Sequence, residues 1–230
     1  MAPSNVPEEH PEFQAEEPAG LLAEPPAPPA MRREALRRLV LDCGEGLLGP
    51  GANRLVPGEG NPAAAVVLVG EAPGEEEDRQ GRPFVGRSGK LLEQVLATAG
   101  FDRRELWITN AAKARPVAFE NGRARNRQPL ASELKAWRPC LEAELRLIRP
   151  RLLVGLGAIA GKALVSPDFK ITRQRGEWYP DAVLGAEMLV TWHPSYILRQ
   201  KGEDYRARLN EAIADFRRVA ERLRELEDGG

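Results

Sequence analysis

The chain has 230 residues, 42% hydrophobic and 29% charged, which fits one substantial globular domain with at most an appendage. No apolar run is long enough to span a bilayer, so no membrane partner is expected. Two cysteines, Cys43 and Cys140, are too few for a disulfide framework or a structural zinc site. The formal net charge of −1 hides an asymmetry: residues 1–30 carry six glutamates and no Lys or Arg, leaving 28 acidic against 33 basic residues, or +5, for residues 31–230. A mildly basic body is compatible with a polyanionic partner, a weak signal when taken alone. No positively charged, then hydrophobic, leader opens the sequence, and a cytoplasmic monomer with reduced thiols is expected.

Residues 1–30 are rich in Pro, Ala and Glu and have too little apolar surface to offset their ordering entropy, so a disordered tail is expected there and a single domain over residues 31–230. Arg32 to Leu41 reads as a helix. Ala63 to Val69 is an apolar, β-branched run closed by Gly70, the pattern of a buried parallel strand. Gly89 to Ala99 is amphipathic and stops at Gly100. Leu106 to Thr109 is a second strand, Ala131 to Ile148 a long helix, Leu152 to Gly155 a third strand and Ala158 to Leu164 a short helix. Met188 to Trp192 is a fourth strand, and Tyr205 to Leu226 a charged terminal helix. Strands alternating with helices predict an α/β fold: a three-layer α/β/α sandwich around a central four-stranded parallel sheet. Ligands of such sheets bind at the carboxyl ends of the strands, so the loops after Val69, Thr109 and Trp192 are the candidate site.

Two glycine patterns call for weighing. Gly155-Leu-Gly157-Ala-Ile-Ala160 fits the loose dinucleotide fingerprint, but it follows the third strand and close helix–strand packing explains its glycines more simply. Gly86-Arg-Ser-Gly-Lys90 resembles the end of a phosphate-binding loop, yet Phe84 stands where the first glycine belongs and Leu91 replaces the hydroxyl residue.

The twenty residues Gly70 to Gly89 (Gly-Glu-Ala-Pro-Gly-Glu-Glu-Glu-Asp-Arg-Gln-Gly-Arg-Pro-Phe-Val-Gly-Arg-Ser-Gly) are the most distinctive stretch. They resemble the first motif of the family-4 uracil-DNA glycosylases. The resemblance continues through Thr109-Asn110-Ala-Ala-Lys113 and His193-Pro-Ser-Tyr-Ile-Leu-Arg199, with Val56-Pro-Gly-Glu-Gly60 ahead of the first strand, and covers roughly residues 40–220. It implies a monofunctional DNA glycosylase of base-excision repair. Such an enzyme flips uracil, or another deaminated base, out of DNA and hydrolyses its N-glycosidic bond.

That chemistry builds negative charge on the departing base and positive charge on the sugar, so it needs a donor at the base and a polar group near the sugar. By resemblance, His193 hydrogen-bonds uracil O2. Asn110 reads O4 and N3–H, for which an amide has a matching donor and acceptor. Phe84 stacks on the flipped base, and Gly70 lies beside it in the base site. Glu71, and with it Glu77, orients water or stabilises the sugar cation. Without the motif, His193 would read as a loop histidine, Asn110 as a turn former and Phe84 as core. Pro73, Gly74, Pro194 and Ser195 resemble small rigid loops that pinch the DNA backbone, and Lys113 and Arg199 join them as DNA contacts. Leu198, or Ile197 after it, is the expected wedge into the vacated base stack.

Family-4 enzymes hold a four-iron cluster with four cysteines. Here Cys43 stands at the first position, while Gly46, Ala114 and Trp137 occupy the others, so no cofactor is expected. The loop between Pro116 and Pro129 is longer than in typical relatives and holds an Asn121-Gly122 hairpin signal. Arg123, Arg125 and Arg127 alternate after it; in an extended segment they share a face that could meet phosphate, or simply water. Two rivals stand beside the glycosylase: a damaged-DNA-binding protein with weak or no excision, and a metabolic nucleotide enzyme on a similar sheet.

Overall fold

The computed structural model describes residues 28–180 and 184–229. The acidic segment expected as a tail therefore lies outside the described residues, except for residues 28–30. In chain order the elements are α1 (Pro29–Cys43), β1 (Glu59–Gly60), β2 (Val66–Gly70), α2 (Glu75–Gln80), α3 (Arg87–Thr98), β3 (Trp107–Asn110), β4 (Val117–Glu120) and β5 (Arg123–Asn126). They continue with α4 (Ala131–Ile148), β6 (Leu152–Leu156), α5 (Ala158–Leu164), α6 (Ile171–Gln174), β7 (Trp178–Pro180), β8 (Glu187–Thr191), α7 (Pro194–Ile197) and α8 (Gly202–Asp228). The first helix starts inside the segment assigned to the tail. Pro29 stands in its first turn, where the missing N–H costs nothing and the fixed φ favours the helix.

The strands form one six-stranded sheet in the order β1-β3-β2-β6-β8-β7 and a separate two-stranded hairpin, β4-β5. The four inner strands are parallel, as the apolar runs predict. β1 and β7 add short antiparallel edges that the sequence does not announce, being only two and three residues long. The pleat sends Val66 and Leu68 to one face of the sheet, where they pack with Leu92 and Leu96 of α3 and Phe216 and Val219 of α8. Val67 and Val69 face the opposite way, against Leu36 of α1 and Leu141 and Leu145 of α4. Both faces are covered, which gives the expected three layers and explains why every residue of β2 is buried.

The hairpin is where Asn121-Gly122 places it. Both residues have positive φ, 51° and 74°, as the tight turn between right-twisted strands requires. Its base is closed by a bond from the Arg127 N–H to the Pro116 carbonyl. Arg127 does not share the free face expected for it. Its guanidinium grips Glu133 at 2.6 and 2.7 Å and the Val117 carbonyl at 3.2 Å, tying the hairpin to the first turn of α4. Arg123 and Arg125 remain exposed; Arg125 has only a loose ion pair with Glu120, at 3.9 Å.

Candidate active site at the carboxyl edge of the sheet

A cavity of about 610 Å³ opens where β2, β3 and β8 end. Glu71, Phe84, Asn110 and His193 line it together, with Pro73, Gly74, Ser195, Leu198 and Arg199 around them. Three loops thus bring residues far apart in sequence to one rim. Gly70 lies directly beneath: a Cβ there would come within 2.3 Å of Asn110 Oδ1 and 2.6 Å of the Phe84 ring, so the absence of a side chain is what lets the two meet.

Asn110, the last residue of β3, is only 2% exposed and lines the cavity. Among the described residues its side-chain amide has no hydrogen-bond partner. A side-chain amide left without a protein partner on the wall of a cavity, in a residue otherwise buried, is the mark of a ligand reader. The Phe84 and His193 rings sit 5.9 Å apart, tilted by 34°, on the same cavity.

Phe84 holds φ of 54°, a left-handed conformation that is unfavourable for a bulky residue and is kept only where the surroundings enforce it. Glu77 helps to enforce it. Its carboxylate accepts from the N–H groups of Val85 (3.1 Å) and Gly86 (2.9 Å), and from that of Gly74 (3.1 Å). Arg103 donates to the Pro83 carbonyl at 2.8 Å and to that of Phe84 at 3.4 Å. Glu77 is therefore corrected from a reacting carboxylate to a loop organiser: both of its oxygens are occupied by backbone amides. Asp78 does similar work behind it, buried and bonded to Asn53 and to the Arg54 N–H.

Glu71 is half-buried and its carboxylate borders the cavity. Burial pushes it above the usual carboxylate range, and the Arg199 guanidinium pulls it partly back. His193 is pushed down to about 4, first by burial and then by Arg199. It is therefore a neutral imidazole at neutral pH. Its Nδ1 lies 3.1 Å from the Ser195 N–H and 2.7 Å from Ser195 Oγ. A backbone N–H can only donate, so Nδ1 is the acceptor and the ring proton sits on Nε2. Gly157 gives the ring its seat: with φ of 92°, it passes so close that a Cβ would lie 2.7 Å from His193 Cβ. The dinucleotide-like glycines are explained by packing, Gly155 against Val190 and Gly157 against His193.

Several expected DNA contacts are placed otherwise. Lys113 is fully buried and paired with Glu144, so it cannot reach a phosphate. Ile197 is core, 1% exposed, which leaves the half-buried Leu198 as the wedge candidate. Pro194 is buried in the first turn of α7, and the Ser195 hydroxyl is turned to His193. The cavity also has Arg87, Ser88, Asn126 and Gln128 in its wall, none of which the motifs assigned. Arg87 and Ser88 lie at the end of the Gly70–Gly89 motif, in the stretch that also resembles a broken phosphate loop.

A fold and rim of this kind define a DNA base-excision protein, and comparison with known proteins agrees. The family model of the uracil DNA glycosylase superfamily matches residues 57–217. The chain belongs to the uracil-DNA glycosylase superfamily. Within it the chain is family-4-like. A type-4 uracil-DNA glycosylase of Thermotoga maritima is 40% identical over 66% of this chain and 76% of its own length. That of Pyrobaculum aerophilum is 35% identical over 74% and 86%, and that of Sulfurisphaera tokodaii 36% identical over 82% and 83%.

These relatives correct the expectation of a cofactor-free protein. They are type-4 enzymes, the class in which the resemblance implies a four-iron cluster, so the cofactor content of this chain is not established by its sequence. The described residues do not supply a four-thiolate set. Cys43 is exposed and Cys140 buried, and Ala114, Trp137 and Cys140 pack together with Val40 and Ala112 as a small apolar cluster. No step below is routed through a metal group.

Proposed function

We propose that this chain is a monofunctional uracil-DNA glycosylase that flips uracil from DNA and hydrolyses its N-glycosidic bond, leaving an abasic site. The observation that carries the reading is the Asn110 amide, which has no hydrogen-bond partner among the described residues and lines a cavity that Phe84 and His193 share.

In this reading the base enters against the Phe84 ring. Asn110 Oδ1 accepts from N3–H and Nδ2 donates to O4, a pairing that cytosine, with the reverse pattern, does not satisfy. His193 Nε2–H points at O2, where negative charge grows as the N1–C1′ bond breaks and its electron pair stays with the base. A neutral imidazole on a fixed tautomer suits this task, since it donates without giving up its proton. Glu71 beside the sugar stabilises the positive charge at C1′ and holds the water that attacks it; the water's proton passes to the carboxylate. The cavity wall contains no lysine among the described residues, which supports hydrolysis over an amine-linked intermediate. Arg199 at the rim, and Arg123 and Arg125 on the hairpin, supply phosphate contacts, and Leu198 fills the vacated stack.

The test is single-turnover excision on uracil-containing oligonucleotides, single-stranded and paired, beside hypoxanthine and xanthine substrates. Uracil release that is lost in Asn110→Ala supports the reading. Tight binding with no abasic product from the parent protein would transfer the assignment to a damage-binding protein.

A further inference from the structure

A sealed polar cluster lies directly behind the base reader, and the chemistry above does not use it. Lys113 and Glu144 are both fully buried, with Nζ 2.5 Å from Oε2. The ammonium has three hydrogens, and each has a partner. Besides Glu144, they go to Thr109 Oγ1 and to the main-chain oxygen of Asn110, both at 2.7 Å. Glu144 also accepts from Thr109 Oγ1 and from Trp107 Nε1, each at 3.0 Å. Apart from Lys113 itself, every group bonded to the pair therefore sits on β3, whose last residue is Asn110. The cluster is closed by the loop ahead of β1: a Cβ on Gly58 would lie 2.3 Å from Trp107 Nε1 and 2.5 Å from Glu144 Oε1.

Stability does not account for this pair. Taking two charges out of water commonly costs more than their attraction returns, and a well-packed apolar pair would hold α4 to β3 at least as well. What an apolar pair cannot do is donate to the Asn110 carbonyl. That bond fixes the peptide leaving Asn110. The N–H of that same peptide, on Ala111, donates to the Gly70 carbonyl at 2.9 Å. With that peptide held at both its oxygen and its N–H, the backbone at Asn110 is fixed where its side chain lines the cavity.

We propose that Lys113, held by Glu144, is a positioning residue for the excision reaction: it locks the backbone at Asn110 so that the amide meets the base without reorganising. This rests on the reading of Asn110 as base reader. A donor array fixed before the substrate arrives lowers the barrier of the chemical step more than it tightens ground-state binding. The effect therefore belongs in the rate.

The experiment compares Lys113→Met/Glu144→Gln with the parent. The pair is chosen so that no charge is left buried alone and Gln still accepts from Trp107. Thermal unfolding, single-turnover uracil excision, and affinity for an oligonucleotide carrying uncleavable 2′-fluoro-deoxyuridine are measured. The expected result is a folded protein whose excision rate falls roughly tenfold or more while its affinity changes by less than about threefold. A parent-like rate in the folded double variant overturns the proposal. So does a fall of rate, affinity and melting temperature in parallel, which is what a purely structural pair gives. If the double variant does not fold, Thr109→Val decides: it removes one of the bonds holding Lys113 while keeping both charges, and a rate equal to the parent's overturns the proposal. Asn110→Ala, run beside them, separates the two readings. Full excision there sinks the base-reader assignment itself, whereas lost excision there with an unaffected double variant sinks only the role of Lys113.

Discussion

Around Lys113 every ammonium hydrogen has a partner; at Asn110, three residues earlier on the same segment, the side-chain amide has none among the described residues. One region satisfies itself and is sealed. The other is left open, although its backbone is equally well held. Polar groups of the first kind build the frame, and those of the second kind are kept for a visitor. The same contrast separates two carboxylates of one loop. Glu77 is fully engaged with backbone amides, while Glu71 borders the cavity with burial raising it above the usual range.

The contrast breaks first at the open residues. Asn110→Ala and His193→Ala should each lower single-turnover excision about 10²- to 10³-fold with melting temperature nearly unchanged, because each removes a group aimed at developing charge. Excision within a few-fold of the parent's would remove them from the chemistry. Next comes Glu71, where Gln substitution should cost about 10- to 10²-fold. The pH profile sharpens this. If the carboxylate is the working form, activity falls as pH drops through its raised value, so the acid limb lies above the ordinary carboxylate range. His193, at about 4, remains neutral there. Arg199→Ala removes the charge that lowers Glu71, so the limb should move to higher pH; a limb that stays put or moves down refutes the assignment.

The closed residues should respond in stability. Glu77→Ala strips acceptors from three backbone N–H groups and should cost about 1–3 kcal/mol, read by denaturant unfolding, with Phe84 loosened and excision reduced as a consequence. An activity loss in Glu77→Ala with no loss of stability would restore it as a reacting group. The smallest effects belong to the hairpin. Arg123→Ala and Arg125→Ala should each weaken DNA binding a few-fold and lower the salt slope by about 1, leaving excision at saturating protein intact.

Much of this was readable before any coordinates. The four inner strands announce themselves as apolar runs, since burial on both faces leaves no room for polar residues, and α4 and α5 span the residues that the sequence pattern assigns to them. Phe84, Asn110 and His193 are legible only through the motif around them. What stayed hidden depends on distant partners. Lys113 sits in a loop motif and reads as a phosphate contact; only Glu144, 31 positions later on α4, makes it core. Glu77 reads beside Glu71 as a reacting carboxylate until the backbone of Val85 and Gly86 folds over it. Ile197 and Leu198 are adjacent apolar residues of which the sequence ranks Leu198 first as the wedge, and the turn of α7 is what buries Ile197.

Gly157 carries a consequence for how the rim can change. The imidazole rests on a bare stretch of main chain at the end of β6, and any larger residue there would have to occupy the space that His193 Cβ now fills. A drifting sequence can therefore exchange much of its outer wall, but it cannot thicken this seat without displacing the group that would receive the leaving base's charge. The spacing that mimics a nucleotide-binding signature is a by-product of clearance beneath a ring.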